Sequence, residues 1–347
     1  MITKIGLDLG YANITLSDVT AEIYREPSVA LIYKQARSDS RRIISVGSVA
    51  LNSDSSDAAG NEGVLVRPFK NGMLFDQQLT KEIIFNAIKA LGSTDKIRCV
   101  VGVPSDFLQK QEKELFSMFA EAGVDTCVSV SRPVAALVGA GYSPCMSVIS
   151  VNVGAQCTEI AIMHEGNVIH TSRTQIGGED FDKAVKQYVL EQGDVSISLS
   201  VAKAIKEKLG AVWKGRPNDS IEIEGTLSLT GNKLRMSVAT EDIVGVFEKP
   251  MQTLILAVVD AMKHIPPRFV EAILENGIVL SGGGAELFGM EQLMEKVLDI
   301  SVTKPISPID CVAKGLARIN SFLPVKTRVN AKNITSQVAK YYEASKK

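Results

Sequence analysis

The chain has 347 residues, 45% hydrophobic and 22% charged, with a formal net charge of −1 and a pI near 6.4. This is apolar material for two ordinary domains, and it excludes a disordered, collagenous or small disulfide-stapled protein. So small a net charge leaves no electrostatic footprint for nucleic acid. Cys99, Cys127, Cys145, Cys157 and Cys311 are odd in number and widely spaced, without zinc or redox spacing, which fits reduced thiols in cytoplasm. The first residues run directly into a strand pattern, and no window approaches ~18 uninterrupted apolar residues, so neither a signal peptide nor a membrane span is predicted.

In chain order, strands are predicted over 2–9, 14–19, 27–33 and 42–46, followed by a polar loop over 52–61 and a short strand at 64–66. Leu79, Ile83, Ile84, Ala87, Ile88 and Leu91 share one helical face, which predicts a helix over 76–91. The continuous apolar run 97–103 reads as a buried strand that Pro104 ends. A helix over 108–122, a strand over 126–130 and a small-residue helix over 133–141 follow. A hairpin spans 148–163, then a strand 168–176 and a helix 181–192 opened by Gly177-Gly178-Glu179-Asp180. A helix over 201–212 precedes alternating segments near 221–225 and 233–238, read as a small antiparallel insertion. A single long helix is expected over 240–263, ended by Pro266-Pro267. Ile278 to Ala285 reads as strand into Gly-rich turn, with a strand near Ser301 and a helix over 308–322. Past Pro324 the tail is basic and polar, and the pattern leaves a terminal helix and a flexible end both open.

Two stretches carry chemistry. Ile5 to Asn13 and Val148 to Met163 are each strand, small-residue turn, strand. Backbone N–H groups in such a turn converge on an anion, and a carboxylate on the incoming strand holds a metal or water beside it. The first hairpin has that carboxylate, Asp8; the second has Asn152. Each half of the chain thus opens on a candidate phosphate clamp and continues as alternating strands and helices, which points to an internal duplication.

The stretches GLDLGYAN (6–13), EPSVALI (26–32), RPFKNGMLFD (67–76), VGVPSDF (101–107), AALVGAG (135–141), IGGEDFDKAVKQYV (176–189), IVLSGGGAELFGM (278–290) and PIDCVAKGLARI (308–319) occur in the order found in the actin superfamily. Within it, the chain resembles the bacterial actin homologues of the MreB family over nearly its full length. The resemblance implies an α/β actin-like ATPase fold, with two duplicated domains on five-stranded mixed sheets flanked by helices, ATP in the cleft between them, and protomers that polymerise. It places domain I at 1–145 with an outer subdomain near 28–75, and domain II at 146–324 with an outer subdomain near 193–245. The helix over 308–322 is expected to pack back on domain I, ahead of a basic tail over 325–347.

Residue by residue, the resemblance makes Asp8 the carboxylate near Mg2+ and gives Gly10, Tyr11, Ala12 and Asn13 as the first phosphate loop. Gly154, Ala155, Gln156, Cys157 and Thr158 form the second, with Gly178 beside it. Gly282, Gly283 and Gly284 resemble the turn whose bare backbone admits the adenosine. Lys206 and Glu207 resemble polar residues of the nucleoside pocket; as sequence alone, they equally suit a solvated helix face.

Three departures set this chain apart. Where the family pattern is Asp-x-Gly-Gly-Gly-Thr-Thr, this chain has Asn152-Val153-Gly154-Ala155-Gln156-Cys157-Thr158. The neutral Asn152 weakens the expected hold on Mg2+. Ala155 and Gln156 replace glycines, which would cost about 1 kcal/mol or more wherever the turn needs positive φ or close phosphate approach, where side chains also obstruct the phosphates. Where the family has Glu-Glu-Pro, this chain has Ser131-Arg132-Pro133, and arginine can neither accept a proton nor orient water as a carboxylate does. It can pair with a terminal phosphate. The expectation is slow or lost hydrolysis with nucleotide binding retained and Arg132 near the phosphates.

The expected role is an MreB-like filament in cell shape or intracellular positioning. The alternative is a non-polymerising or copolymerising pseudo-ATPase that regulates an active MreB-type relative; a sugar kinase or chaperone-type ATPase is further off, for want of a sugar-binding carboxylate set or a peptide-binding domain. The partner is therefore self or such a relative, with membrane or wall-synthesis contacts weak or indirect, since the loop Gly92–Lys96 is polar. Phe107-Leu108 reads as an exposed apolar tip or a buried helix start.

Overall fold

The computed structural model describes residues 2–20, 22–34, 41–53, 63–70, 72–92, 95–324 and 334–346. Most of the predicted polar loop over 52–61, residues 93–94 of the Gly92–Lys96 loop, and Lys326, Arg328, Lys332 and Lys347 of the basic tail lie outside the described residues. The chain divides into two compact units. One comprises Met1–Met146, Glu165–Val168 and Asp310–Lys347; the other comprises Ser147–His164 and Ile169–Ile309.

The first unit begins with β1 (Ile2–Leu9), β2 (Asn13–Ser17) and β3 (Glu22–Pro27), an antiparallel meander. The sequence pattern carries β2 on to residue 19 and shows no β3. Instead Asp18 turns the chain, its Oδ1 accepting from the Thr20 N–H at 2.7 Å, the side-chain turn that short acids favour. Next come β4 (Ala30–Lys34), β5 (Arg41–Val46), α1 (Gly47–Asn52) and β6 (Gly63–Val66), with β5, β4 and β6 forming a separate small sheet. Helix α1 was not expected either. Its start is held from 22 residues away, where Glu26 Oε2 accepts from the Ser48 N–H at 2.6 Å, and Gly47 at φ +67° makes the corner.

The short pair β7 (Phe69–Lys70) and β8 (Met73–Leu74) precedes α2 (Gln77–Lys89), whose N-terminus Asp76 caps. Then follow β9 (Lys96–Val103), α3 (Gln109–Glu121), β10 (Thr126–Ser131) and α4 (Arg132–Gly139). Strands β9 and β10 add in parallel to β1, giving the sheet order β3-β2-β1-β9-β10. Ile5, Leu7, Ile14, Leu16, Cys99, Val101 and Phe119 form the buried centre of this unit. Phe107 packs against that core while Leu108 beside it is exposed.

The second unit repeats the plan. Strands β11 (Val148–Val153) and β12 (Thr158–His164) form the predicted hairpin, with β13 (Asn167–Thr174) beside β12. Helix α5 (Gly178–Gly193), β14 (Val195–Ser196) and α6 (Leu199–Leu209) lead to the antiparallel pair β15 (Ser220–Leu227) and β16 (Lys233–Ala239), the small insertion the alternation predicts. The expected single helix over 240–263 is in two pieces, α7 (Thr240–Ile243) and α8 (Glu248–Met262), joined by a 3-10 turn. Pro250 explains the break: it cannot donate to the Val246 carbonyl, and its ring crowds that oxygen, so the turn before it tightens. Helix α9 (Val270–Asn276), unforeseen behind Pro266-Pro267, is followed by β17 (Ile278–Ser281), α10 (Met290–Leu298) and β18 (Val302–Thr303). Strand order is β13-β12-β11-β17-β18, the same scheme as in the first unit.

Helix α11 (Cys311–Phe322) lies in the first unit and packs on α4 and β1. The two helices meet backbone to backbone. A β-carbon at Gly139 would lie 1.7 Å from the Cys311 carbonyl oxygen, and one at Gly315 would lie 1.8 Å from that of Ala135. Of the two readings of the tail, the helix is the one found: α12 (Ile334–Ser345) packs against α11 and buries Val338 fully. Among the described residues no helix is long and apolar enough to cross a membrane.

Candidate phosphate-binding hairpins

The two hairpins close in the same way. In the first, the Gly10 N–H donates to the Asn13 carbonyl at 3.1 Å; in the second, the Gly154 N–H donates to the Cys157 carbonyl at 2.9 Å. Each glycine leaves no room for a side chain, since a β-carbon would lie 2.7 Å from the Asn13 carbonyl oxygen or 2.9 Å from that of Cys157. Asp8 and Asn152 hold equivalent places, two residues before the glycine. Asp8 faces Gly102 across the parallel pair, and Asn152 faces Ser281.

The first loop is braced from residues that sequence reasoning passed over. Ser28 Oγ donates to the Gly10 carbonyl at 2.6 Å. The Arg67 guanidinium donates to the carbonyls of Tyr11 at 3.0 Å, Ala12 at 3.3 Å and Ser28 at 3.2 Å, and stacks over the Tyr11 ring. Both residues sit inside stretches singled out above, EPSVALI and RPFKNGMLFD. The signal was there; the roles depend on chain reversals that bring residues 28 and 67 back to residue 11.

Arg132 is the decisive side chain. It begins α4, directly after β10, and its guanidinium turns toward β1. Nε donates to Asp8 Oδ1 at 3.3 Å, Nη2 to the Leu9 carbonyl at 3.0 Å and Nη1 to the Gly72 carbonyl at 3.5 Å. The side chains of Arg132 and Asp8 are 8% and 20% exposed. Burial pushes the Asp8 carboxyl above its usual range, and the charge and hydrogen bond of Arg132 pull against this, as does the more distant Arg25. Gly102 makes the space: a β-carbon there would lie 3.3 Å from Arg132 Cγ and 3.4 Å from Asp8 Oδ1.

The residues therefore do not fit a divalent cation at Asp8. That carboxylate already has a cation, and a metal ion at the same oxygen would lie beside a guanidinium of like charge. Among the described residues no group of three or more His, Cys, Asp or Glu is arranged to hold a metal ion.

The second loop takes its side chains without backbone strain. None of Gly154 to Thr158 has positive φ, so Ala155 and Gln156 carry no cost from backbone strain. Gln156 Nε2 instead donates to Glu179 Oε2 at 2.8 Å. The Gly178 and Glu179 N–H groups donate to the carbonyls of Gly154 at 2.9 Å and Ala155 at 2.7 Å, stapling the loop to the start of α5. Thr158 is buried, its Oγ1 donating to the Ile176 carbonyl at 2.8 Å. Glu159, opposite Asn152 in the hairpin register, is a buried carboxylate to which sequence reasoning gave no role.

Lys206 and Glu207 part company. Lys206 Nζ lies 2.6 Å from Asp182 Oδ1 and donates to the Gly178 carbonyl at 2.9 Å, tying α6 to the start of α5. Burial pushes the Asp182 carboxyl upward, and the Lys206 ammonium pulls against it. Glu207 is on the solvated face, 3.7 Å from Lys203. In the Gly-rich turn, Gly282 at φ +86° and Gly284 are demanded by packing on β11: β-carbons there would each lie 2.3 Å from atoms of Val153. Gly283 meets only the Ile309 side chain, at 3.5 Å. Of the three, it alone keeps an approachable bare backbone.

Comparison with known proteins agrees with this duplicated plan. The family model described as MreB/Mbl protein matches residues 2–327. The chain is 27% identical to the cell shape-determining protein Mbl of Bacillus cereus over 319 residues, covering 90% of this chain and 93% of that one. It is 28% identical to the cell shape-determining protein MreB of Escherichia coli over 319 residues, covering 90% and 91%. Among solved structures, MreB5 of Spiroplasma citri bound to ADP superposes with a TM-score of 0.81 at 20% identity, covering 90% of this chain and 94% of that one. A MamK double helical filament superposes at 0.77 with 22% identity, covering 93% and 100%. The fold is thus actin-like, and the chain belongs to the MreB/Mbl family.

Proposed function

We propose that this chain is an MreB-type cytoskeletal protein that binds a nucleoside triphosphate, polymerises with itself, and hydrolyses the nucleotide slowly or not at all. Relatives named for cell-shape determination and a structural neighbour that is a MamK double helical filament support the polymer. Neighbours bound to ADP and AMPPNP support the nucleotide.

The single observation behind slow hydrolysis is the 3.3 Å contact between Arg132 and Asp8. Arg132 stands where the resemblance implies a water-orienting carboxylate, and a guanidinium, charged at any physiological pH, accepts no proton from water. Asn152 lacks the second carboxylate. Without a base to orient and deprotonate water, attack on the terminal phosphate loses an effect worth about 10²-fold or more. Single-turnover hydrolysis by purified protein tests this. The expected result is bound ATP recovered intact over hours; rapid magnesium-dependent phosphate release, abolished by Asp8→Ala, would overturn it.

A further inference from the structure

We infer that Arg132 acts as a built-in counter-cation at the first hairpin, so that this chain binds a nucleoside triphosphate without a divalent metal ion. The inference rests on the nucleotide-binding reading above and deepens it by naming what offsets the Asp8 charge beside the phosphates.

The geometry is that of a fixed charge. The guanidinium is held at the root of the first loop by Asp8 Oδ1, the Leu9 carbonyl and the Gly72 carbonyl, at 3.3, 3.0 and 3.5 Å. Its stem lies over bare Gly102, whose missing side chain leaves room for Arg132 and Asp8 together. Pro133 follows directly in the first turn of α4, so the backbone that aims the side chain is itself restricted.

Electrostatics then sets the consequence. An aspartate at the entry to a phosphate loop repels the anion unless a cation stands with it. A metal ion meets that need only while bound, and its occupancy follows its concentration; a guanidinium on α4 is present always. Asp8 and Arg132 together carry no net charge, and Arg25 adds a further positive influence on Asp8. Guanidinium is also matched in shape to phosphate oxygens, to which its N–H groups form charge-assisted bonds. A divalent ion entering beside it gains less than it would at a bare carboxylate, because it meets a like charge in a partly buried setting.

The test is equilibrium binding of a fluorescent ATP analogue to the full chain, in excess magnesium and in excess EDTA. The Kd of the wild type is expected to differ by less than about threefold between the two. Arg132→Glu is expected to weaken binding in EDTA by about 100-fold, with magnesium restoring much of it. Asp8→Asn, which releases the guanidinium from its carboxylate, is expected to tighten binding in EDTA. A wild-type Kd that rises tenfold or more on chelation, on the order of 1.4 kcal/mol, overturns the inference while leaving nucleotide binding intact. Loss of EDTA binding in Asp8→Asn contradicts it as well. No binding in either condition overturns the nucleotide reading and this inference together. Should Arg132→Glu fail to fold, the wild-type comparison and Asp8→Asn decide.

Discussion

Arg132 and Asp8 are 124 residues apart in sequence, and only the fold brings them together. Removing one member of a buried pair leaves an uncompensated charge, so Arg132→Met is expected to destabilise the protein by about 3 kcal/mol, toward the low end for such pairs because Asp8 keeps some exposure. Without its cation the Asp8 carboxyl rises further above its unfolded value. A carboxyl raised in the folded state takes up protons on folding, so the deficit of Arg132→Met shrinks as pH falls toward the carboxylate range. Denaturant unfolding at neutral and acidic pH checks this; an equal deficit at both would contradict it. A second titration concerns Cys311 in α11, whose thiol burial pushes up to about 11 from 9.0. Below 9.0 the thiol is neutral in both states and costs nothing. Between 9.0 and about 11 the unfolded thiol ionises while the folded one does not, so stability falls through that window by on the order of 2 kcal/mol. Cys311→Ala is expected to lose less stability than wild type over the same alkaline range in parallel unfolding curves.

At the scale of elements, the tightest joint is the crossing of α4 and α11. Backbone carbonyls occupy the space a side chain would need at Gly139 and Gly315. Gly315→Ala is therefore expected to force the helices apart and destabilise the first unit by roughly 2–4 kcal/mol despite alanine's better helix propensity, since backbone cannot yield as a flexible side chain does. An unchanged unfolding midpoint would contradict that packing. The same scale shows where the sequence was legible. The two hairpins, the apolar face of α2 and the Pro104 stop could be read locally, because turn, stop and apolar period lie within a few residues of each other. Helix α1 could not, because Glu26 holds its start from another strand. Strand β3 was hidden by its charges, Glu22, Arg25 and Glu26, which suit a sheet edge and mask the alternation. The break before α8 was readable in principle from Pro250, which a uniform apolar period over 240–263 outweighed.

For the whole molecule, the duplication was legible and much of its chemistry was not. Equivalent sheets in the order meander, then two parallel strands, follow from two Gly-turn hairpins that any reader of the sequence can align. The loss of carboxylates at positions 132 and 152 was equally plain. What Arg132 does instead was not, because sequence shows a missing base and only the fold shows the partner it takes; nor could the sequence show that Ala155 and Gln156 sit at ordinary negative φ. A polymer whose protomers keep their nucleotide has no hydrolysis-driven loss of subunits, so its filaments should persist where those of an active relative would turn over.

The most direct measurement is sedimentation with electron microscopy of the purified chain, with ATP, with a non-hydrolysable analogue and without nucleotide, while phosphate release is followed. Filaments are expected with ATP and with the analogue alike, with no phosphate released as they form. Filaments that disassemble as phosphate is released would contradict the loss of turnover, and no filaments in any condition would contradict self-assembly and leave a polymer that needs an active relative.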